Sequence, residues 1–245
     1  MRVIRSLCIA FSTYSRIPVP QVAWTDENRK YSMCFFPLIG AVIGLLLWGW
    51  LALCDVLGFG ALLPILVTGG IHMDGFMDTS DALASWQSPE KRLEILKDSH
   101  VGAFAVLGCA GYLLLDAALL SELPTTLAPM MIGCFMLSRA CSAWAMSAFR
   151  SARPKGMLDA FAQAAQRRML TISCAVYAVL CAVVWAIIGG WLAFACLLAA
   201  ILCVWYYRRM SYKQFGGITG DLAGWFLQIT ELTLTAVIVI GGKLL

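Results

Sequence analysis

The stretch "CFFPLIGAVIGLLLWGWLALC", residues 34–54, decides the fold because it contains no charged residue. A helix of about 20 residues crosses the roughly 30 Å hydrocarbon core of a bilayer. Helices also pair their own backbone polar groups, which lipid cannot do. The whole chain of 245 residues is 61% hydrophobic and 13% charged, with a mean hydropathy of +0.81. We therefore predict an all-α, polytopic integral membrane bundle that forms one domain over residues 1–245.

The apolar pattern predicts about seven transmembrane helices. They are 34–54, 56–73, 101–120, 127–149, 170–188, 190–207 and 222–241. The second is interrupted by Pro64, Gly69 and Gly70. Amphipathic helices are expected on the cytoplasmic surface, one at the N-terminus ending before Pro18 and one beginning at Ser88. We expect no cleavable signal, since no small-residue cleavage site follows the first apolar patch.

The basic residues are distributed unevenly around these spans. If the N-terminus is cytoplasmic, the inside segments hold sixteen Lys and Arg residues, the outside segments hold only Lys243, and Arg139 lies within a span. The inside segments are 1–33, 74–100, 150–169 and 208–221. This positive-inside bias predicts a bacterial cytoplasmic (inner) membrane protein with these loops facing the cytoplasm. A six-span alternative, with the second segment re-entrant, loses the agreement.

Other compositional features exclude several partner classes. The net charge of +4 comes from residues that flank apolar spans and form no groove-like patch, so we expect the lipid bilayer and no nucleic acid as partner. The ten cysteines include no Cys-x-x-Cys pair and are expected to pack as small hydrophobes. Gly40 and Gly44 form a Gly-x-x-x-Gly pair that suits helix packing, within the chain by preference or in a homo-oligomer.

An acidic motif interrupts this apolar chain at "GGIHMDGFMDTSDAL", residues 69–83. Asp74, Asp78 and Asp81 stand at i, i+4 and i+7, so on a helix they share an arc of roughly 60°. His72 points about 160° away from Asp74, which argues against a zinc site. Carboxylate oxygens without His or Cys favour Mg²⁺ or Mn²⁺. A solvated acidic face remains the alternative, because like charges there cost only about 0.2–0.5 kcal/mol.

Three further segments lie on the same predicted face of the membrane. Asp98 ends an amphipathic segment at the next membrane entry, where it can also be a simple helix cap. Arg153 and Lys155 follow Arg150 at a cytoplasmic mouth, where basic residues commonly determine topology. A glycine-rich turn precedes the last span and can present N–H groups to phosphate. Its residues are Gly216, Gly217, Gly220 and Asp221. Carboxylates, cations and such a turn suit phosphoryl transfer.

The order of motifs resembles that of the cobalamin synthase family, the adenosylcobinamide-GDP ribazoletransferases. The motifs are "FSTYSRIPVP", "FFPLIGAVIG", "GGIHMDGFMDTSDAL", "LEILKDSHVGAFAVL", "ARPKG" and "GGITGDLAGWFLQITE". The resemblance implies a Mg²⁺-dependent membrane enzyme with adenosylcobinamide-GDP and α-ribazole, or α-ribazole 5′-phosphate, as substrates. It implies that GMP is released in the final, nucleotide-loop assembly of cobalamin synthesis.

The acidic face and its basic surroundings suggest roles for the residues in this reaction. Asp74 and Asp78 are expected to bind Mg²⁺, and Asp81 is either a third metal ligand or a solvated neighbour. Asp98 or Asp221 is expected to act as general base or as a further ligand. The substrate phosphates are expected to contact the glycine turn and three basic residues. Those positions are Gly216, Gly217, Gly220, Arg139, Arg153 and Lys155. The chain departs from the family pattern at Gln228, where an acid is expected, and at Ala82, where glycine is expected.

Two other function classes stay open at this stage. A CDP-alcohol phosphotransferase of phospholipid synthesis also uses carboxylates at a membrane face, but its Asp-Gly-x-x-Ala-Arg signature is missing after Asp74-Gly75. A membrane transporter would place ionisable groups near the midplane, where Arg139 and Glu231 lie, but no internal repeat is visible.

Overall fold

The computed structural model describes residues 2–53, 60–153 and 156–244. Within these ranges the chain is helical, and its only bridged backbone pair outside helices is Ser151 with Ile218. The helices are α1 (Arg2–Tyr14), α2 (Asp26–Arg29), α3 (Ser32–Leu53), α4 (Leu63–Thr68), α5 (Ile71–Ala84), α6 (Pro89–Ile95), α7 (Ala103–Ser121), α8 (Met130–Ala148), α9 (Met157–Ala164), α10 (Arg167–Gly189), α11 (Leu192–Phe215) and α12 (Gly220–Gly242). The prediction of an all-α fold is confirmed.

Five of these helices are long and apolar enough to cross a membrane: α3, α7, α10, α11 and α12. They match five of the seven predicted spans and indicate a multi-pass membrane protein. The span predicted at 127–149 corresponds to α8, which has 19 residues but is not among these five helices. Most of α8 is buried among other helices, so its sequence can carry Ser138, Arg139 and Ser142 without exposing them to lipid.

The second predicted span is wrong as a single helix. Its described part contains α4, which has only six residues, and then turns into α5 through Gly69 and Gly70. Both glycines have positive φ, at 68° and 82°, and the left-handed conformation at Gly69 ends α4. Residues 56–59 of that predicted span lie outside the described residues. Apolar composition alone could not distinguish one long helix from two shorter helices joined by this turn.

Helix α8 packs against α3 with backbone in contact with backbone. A Cβ atom on Gly40 would collide with the carbonyl of Phe135, and one on Gly44 would collide with Ile132. The Gly-x-x-x-Gly pair therefore packs helices within the chain, as preferred from the sequence. The described cysteines are free thiols, and five of them are buried among the helices.

A buried ion pair joins α8 to α12 in the interior of the bundle. Arg139 Nη1 donates to Glu231 Oε1 at 2.5 Å, and both side chains are almost fully buried. Ser138 Oγ also donates to Glu231, at 2.8 Å, and the carbonyl of Phe135 accepts from Arg139 at 3.0 Å. The two charges therefore satisfy each other inside protein and neither faces lipid.

Candidate active site

Helices α5 and α12 cross at two glycines, and this crossing brings the acidic motif to the start of α12. A Cβ atom on Gly75 would lie 2.7 Å from the carbonyl oxygen of Asp221. On Gly224 it would lie 2.9 Å from the carbonyl oxygen of His72. Any larger residue would push the helices apart, so the glycines set the distance between Asp74 on one helix and Asp221 on the other.

A cavity of about 280 Å³ opens at this crossing. One side is polar and includes Asp74, Arg153 and Asp221. The other side is apolar and aromatic. It is formed by Tyr14, Met33, Phe36, His72, Met157 and Leu158. The cavity thus joins a charged end to an apolar end, which is the usual composition of a small-molecule site.

The polar end is organised around Asp221. Thr219 is the N-cap of α12, and its hydroxyl accepts a hydrogen bond from the backbone N–H of Leu222 at 3.2 Å. Arg153 Nη1 donates to Asp221 Oδ2 at 3.4 Å, and Arg153 Nη2 donates to the carbonyl of Leu93 at 2.5 Å. The guanidinium is therefore held between the carbonyl of Leu93 on α6 and the carboxylate of Asp221 on α12. Arg153 lines the cavity, and its contact with phosphate stays a prediction.

The glycine-rich turn supports the loop that carries Arg153. Ile218 N donates to the carbonyl of Arg150 at 2.9 Å, and Ala152 N donates to the carbonyl of Ile218 at 2.8 Å. Gly217 permits this pairing, because a Cβ there would lie 2.5 Å from the Arg150 carbonyl oxygen. Gly216 ends α11 with a φ of 75°, and its carbonyl accepts from the Arg150 side chain at 2.7 Å.

Of the three glycines predicted to contact phosphate, Gly220 alone lines the cavity. No atom lies within 4 Å of a Cβ placed on it, so its backbone faces open space. Gly216 and Gly217 instead hold the Arg153 loop against the start of α12. A direct contact of the turn with phosphate stays a prediction.

The carboxylates of Asp74, Asp81 and Asp221 all lie close enough to Asp78 to affect its pKa. Burial, together with the charges of Asp74, Asp221 and Asp81, raises the pKa of Asp78 to about 6, while Arg153 opposes this shift. The helical arrangement of the three motif aspartates predicted from spacing is therefore present, and Asp221 joins it from α12. One arginine does not balance this negative charge, and the excess suits a bound cation.

Asp81 uses its carboxylate to cap another helix. Its Oδ2 accepts from the backbone N–H of Gly102 at 2.6 Å, and its Oδ1 accepts from that of Ala105 at 2.9 Å. Gly102 is the N-cap of α7 and has no side chain of its own for this role. Asp81 thus satisfies the unpaired N–H groups at the start of α7. If Asp81 also binds a metal ion, as predicted, its carboxylate must act as metal ligand and helix cap at the same time.

Among the described residues predicted for the site, Asp98 and Arg139 stand apart from the cavity, and Asp78 and Asp81 are not part of its lining. Asp98 is exposed, and hydrogen bonds with the ring and backbone N–H of His100 lower the pKa of its carboxyl. Arg139 does not line the cavity, because its guanidinium is engaged with Glu231 behind the wall formed by Phe36. Lys155 lies outside the described residues.

His72 lines the cavity, although its direction on the helix separates it from Asp74. The cavity reaches around the first turn of α5, so residues on two faces of this turn border it. Sequence reasoning also missed Tyr14 and Phe36, which come from α1 and α3. Their aromatic side chains in "FSTYSRIPVP" and "FFPLIGAVIG" were available as a signal, but only the packing shows that these two segments meet α5.

The described parts of the chain do not contain a preformed metal site. No group of three or more His, Cys, Asp or Glu residues there is arranged closely enough to hold a metal ion. The donor set is nevertheless chemically suited to Mg²⁺, because Asp74 and Asp78 supply hard oxygen ligands in a region of excess negative charge.

Fold and site together define a multi-helix membrane protein with a carboxylate- and arginine-lined cavity. A sequence model of the cobalamin-5-phosphate synthase family matches residues 6–239. Similar proteins named adenosylcobinamide-GDP ribazoletransferase include one from Lachnoclostridium phytofermentans, 42% identical, with 98% of this chain and 95% of the relative covered. One from Desulfitobacterium hafniense is 34% identical, with 94% of each chain covered. One from Geobacillus thermodenitrificans is 32% identical, with 94% and 93% covered.

This chain therefore belongs to the cobalamin-5-phosphate synthase family. No solved structure matches it. The resemblance inferred from the sequence motifs is confirmed over nearly the whole chain.

Proposed function

We propose that this chain transfers the phosphoryl-cobinamide group of adenosylcobinamide-GDP to α-ribazole or α-ribazole 5′-phosphate and releases GMP. The names of its relatives support this activity. The observation that carries it in the structure is the cavity in which Asp74, Asp221 and Arg153 come together. Such a site can bind a diphosphate and activate a hydroxyl, which is what the transfer requires.

The transfer forms one phosphorus–oxygen bond and breaks another. The 3′-hydroxyl oxygen of the ribazole attacks the phosphorus nearer cobinamide, and the bond from that phosphorus to GMP breaks. We assign the hydroxyl proton to the carboxylate of Asp221, because Asp221 lines the cavity while Asp98 is exposed outside it. Arg153 stabilises the charge that develops on the phosphoryl oxygens.

Magnesium is part of this proposal. Asp74 and Asp78 would hold Mg²⁺, which supplies charge neutralisation to the diphosphate when it is bound. Asp81 keeps the start of α7 in place beside them and would be at most a shared ligand.

We further propose that the chain crosses a bacterial cytoplasmic membrane about seven times, with the cavity on the cytoplasmic side. Met33 at the start of α3 and Ile71 at the start of α5 line the same cavity. The chain between Leu53 and Ile71 must therefore return from the far end of α3, so the broken segment containing α4 completes a crossing. Sixteen of the eighteen Lys and Arg residues then lie in cytoplasmic segments. Helices α1 and α6 would rest on that surface.

One assay tests the activity. The purified chain is incubated with adenosylcobinamide-GDP, α-ribazole and Mg²⁺, and GMP is measured. Asp74→Asn should abolish GMP release, while Glu122→Gln, an exposed carboxylate paired with Lys243 outside the cavity, should leave it intact. Release of CMP from a CDP-alcohol would instead favour a phospholipid-type transferase. Metal-dependent flux in proteoliposomes without GMP release would favour a transporter.

A further inference from the structure

The apolar end of the cavity contains one buried polar atom that lacks a partner. His72 is only 5% exposed, and its Nε2 atom makes no hydrogen bond with any described residue. An unpaired buried donor or acceptor of this kind costs about 1–3 kcal/mol, so such atoms are uncommon without a ligand or water. His72 lines the cavity, and because its Nε2 atom is enclosed in the cavity wall, the ring must turn when an occupant binds for this atom to reach it.

The His72 ring belongs to an aromatic group at this end. The Tyr14 ring lies 6.2 Å from it, centroid to centroid, with an interplanar angle of 20°. The Phe36 ring lies 5.8 Å away with its edge toward it, at 67°. Met33 and Met157 complete an apolar surface around these rings. Flat aromatic molecules pack well against such a surface, and methionine adapts to their outline.

We infer that this aromatic end holds the benzimidazole base of the ribazole acceptor, and that His72 Nε2–H donates a hydrogen bond to its ring nitrogen. The inference rests on the proposed function, since that function supplies the acceptor. His72 is thereby a specificity-determining residue: it recognises the base and takes no part in the transfer of the phosphoryl group.

Size and chemistry both favour this occupant over the other substrate. A cavity of about 280 Å³ is slightly smaller than the roughly 300–1,000 Å³ found for small-molecule sites, so it suits a nucleoside and not a corrinoid. Guanine is also flat, but its edge carries several donors and acceptors that would be left unpaired against Tyr14, Phe36 and methionine. A ribosyl benzimidazole has a single ring acceptor, which matches the one unpaired buried atom among the described residues at the aromatic end, His72 Nε2.

The arrangement also orients the acceptor for the reaction. With its base at the His72 end, the ribose of the acceptor extends toward Asp74 and Asp221 at the polar end. The hydroxyl that attacks is then delivered to the carboxylates and Arg153, while the larger corrinoid stays outside the cavity. One end of the cavity selects the nucleoside and the other activates it.

The experiment measures binding of α-ribazole to the purified chain in detergent, without the second substrate. A matched probe is the riboside of 5,6-dimethylindole, in which carbon replaces the ring nitrogen that accepts the hydrogen bond. Wild type should bind this analogue about tenfold more weakly than α-ribazole, as expected for one buried hydrogen bond. His72→Phe should bind both about equally, and His72→Gln, which retains an N–H donor, should recover part of the discrimination.

Kinetics provide a second readout. His72→Phe should raise the KM for α-ribazole about tenfold and leave the KM for adenosylcobinamide-GDP unchanged. Equal binding of α-ribazole and the indole riboside by wild type would overturn the inference, and so would a loss of affinity for adenosylcobinamide-GDP in place of α-ribazole. If wild type releases GMP but the His72 substitutions alter neither binding nor KM for α-ribazole, the inference about His72 fails and the proposed function stands. If wild type releases no GMP, the proposed function fails, and the binding comparison still decides the role of His72.

Discussion

Asp78 links the stability of this protein to its site. Burial and three neighbouring carboxylates raise its pKa from 3.8 to about 6. A carboxyl whose folded pKa lies above its unfolded pKa destabilises the folded state when it is charged. This destabilisation is full above pH 6 and is lost as the pH falls from 6 toward 3.8. Two pKa units correspond to about 3 kcal/mol, and solvent screening of this half-exposed group reduces the effect to about 1–2 kcal/mol.

Asp78→Asn removes this charge with little change in shape. At pH 8 in EDTA we expect the variant to be more stable than wild type by about 1–2 kcal/mol, which is about 3–6 °C in Tm for a chain of this size. Thermal unfolding in detergent measures this difference, and it should shrink at pH 5 as the wild-type carboxyl takes up a proton. Added Mg²⁺ should raise the Tm of wild type more than that of Asp78→Asn. The variant should release no GMP.

The control is Glu122→Gln, because Lys243 lowers the pKa of the Glu122 carboxyl, an effect opposite in sign. Removing that charge should not stabilise the protein. A lower Tm for Asp78→Asn than for wild type in EDTA at pH 8 would refute the electrostatic reasoning. An equal Mg²⁺ response in the two proteins would refute the assignment of Asp78 to the cation site.

Three further substitutions test the framework around the site. Asp81→Ala should lower stability by about 1–2 kcal/mol in a thermal melt with or without Mg²⁺, because it leaves two N–H groups of α7 unpaired; an unchanged Tm would contradict the cap. Gly75→Ala should separate α5 from α12 and reduce GMP release at least tenfold, whereas Gly111→Ala, which has open space, should not. Glu231→Ala should cost about 3–5 kcal/mol by leaving Arg139 charged and unpaired, and restoration of the Tm by a second change, Arg139→Met, would confirm the cause.

The motif around the aspartates could be predicted from sequence because helical spacing is a local property. Asp74, Asp78 and Asp81 do lie on one helix, and the start of α6 at Ser88-Pro89 follows the expected capping pattern, with the Ser88 hydroxyl accepting from Lys91 N. The five membrane helices could also be predicted, because apolar composition is likewise a local property of the sequence.

Contacts between distant segments could not be predicted in this way. Nothing local to Asp81 indicates that its carboxylate meets Gly102, and nothing local to Arg139 identifies Glu231 as its partner. The cavity depends on α1 and α3 reaching α5, and such tertiary contacts are set by how glycines let backbones approach. The turn at Gly69 and Gly70 was visible in the sequence, but a hydropathy average over the segment conceals it.

The cap that Asp81 provides also bears on how the chain is made. Asp81 precedes the start of α7 by about twenty residues, so it has already left the ribosome when the first turn of α7 emerges. An acceptor for the exposed N–H groups of that apolar helix is therefore at hand during membrane insertion, before the later helices exist. Substitution of Asp81 should then reduce the yield of inserted protein in cells as well as its stability after purification.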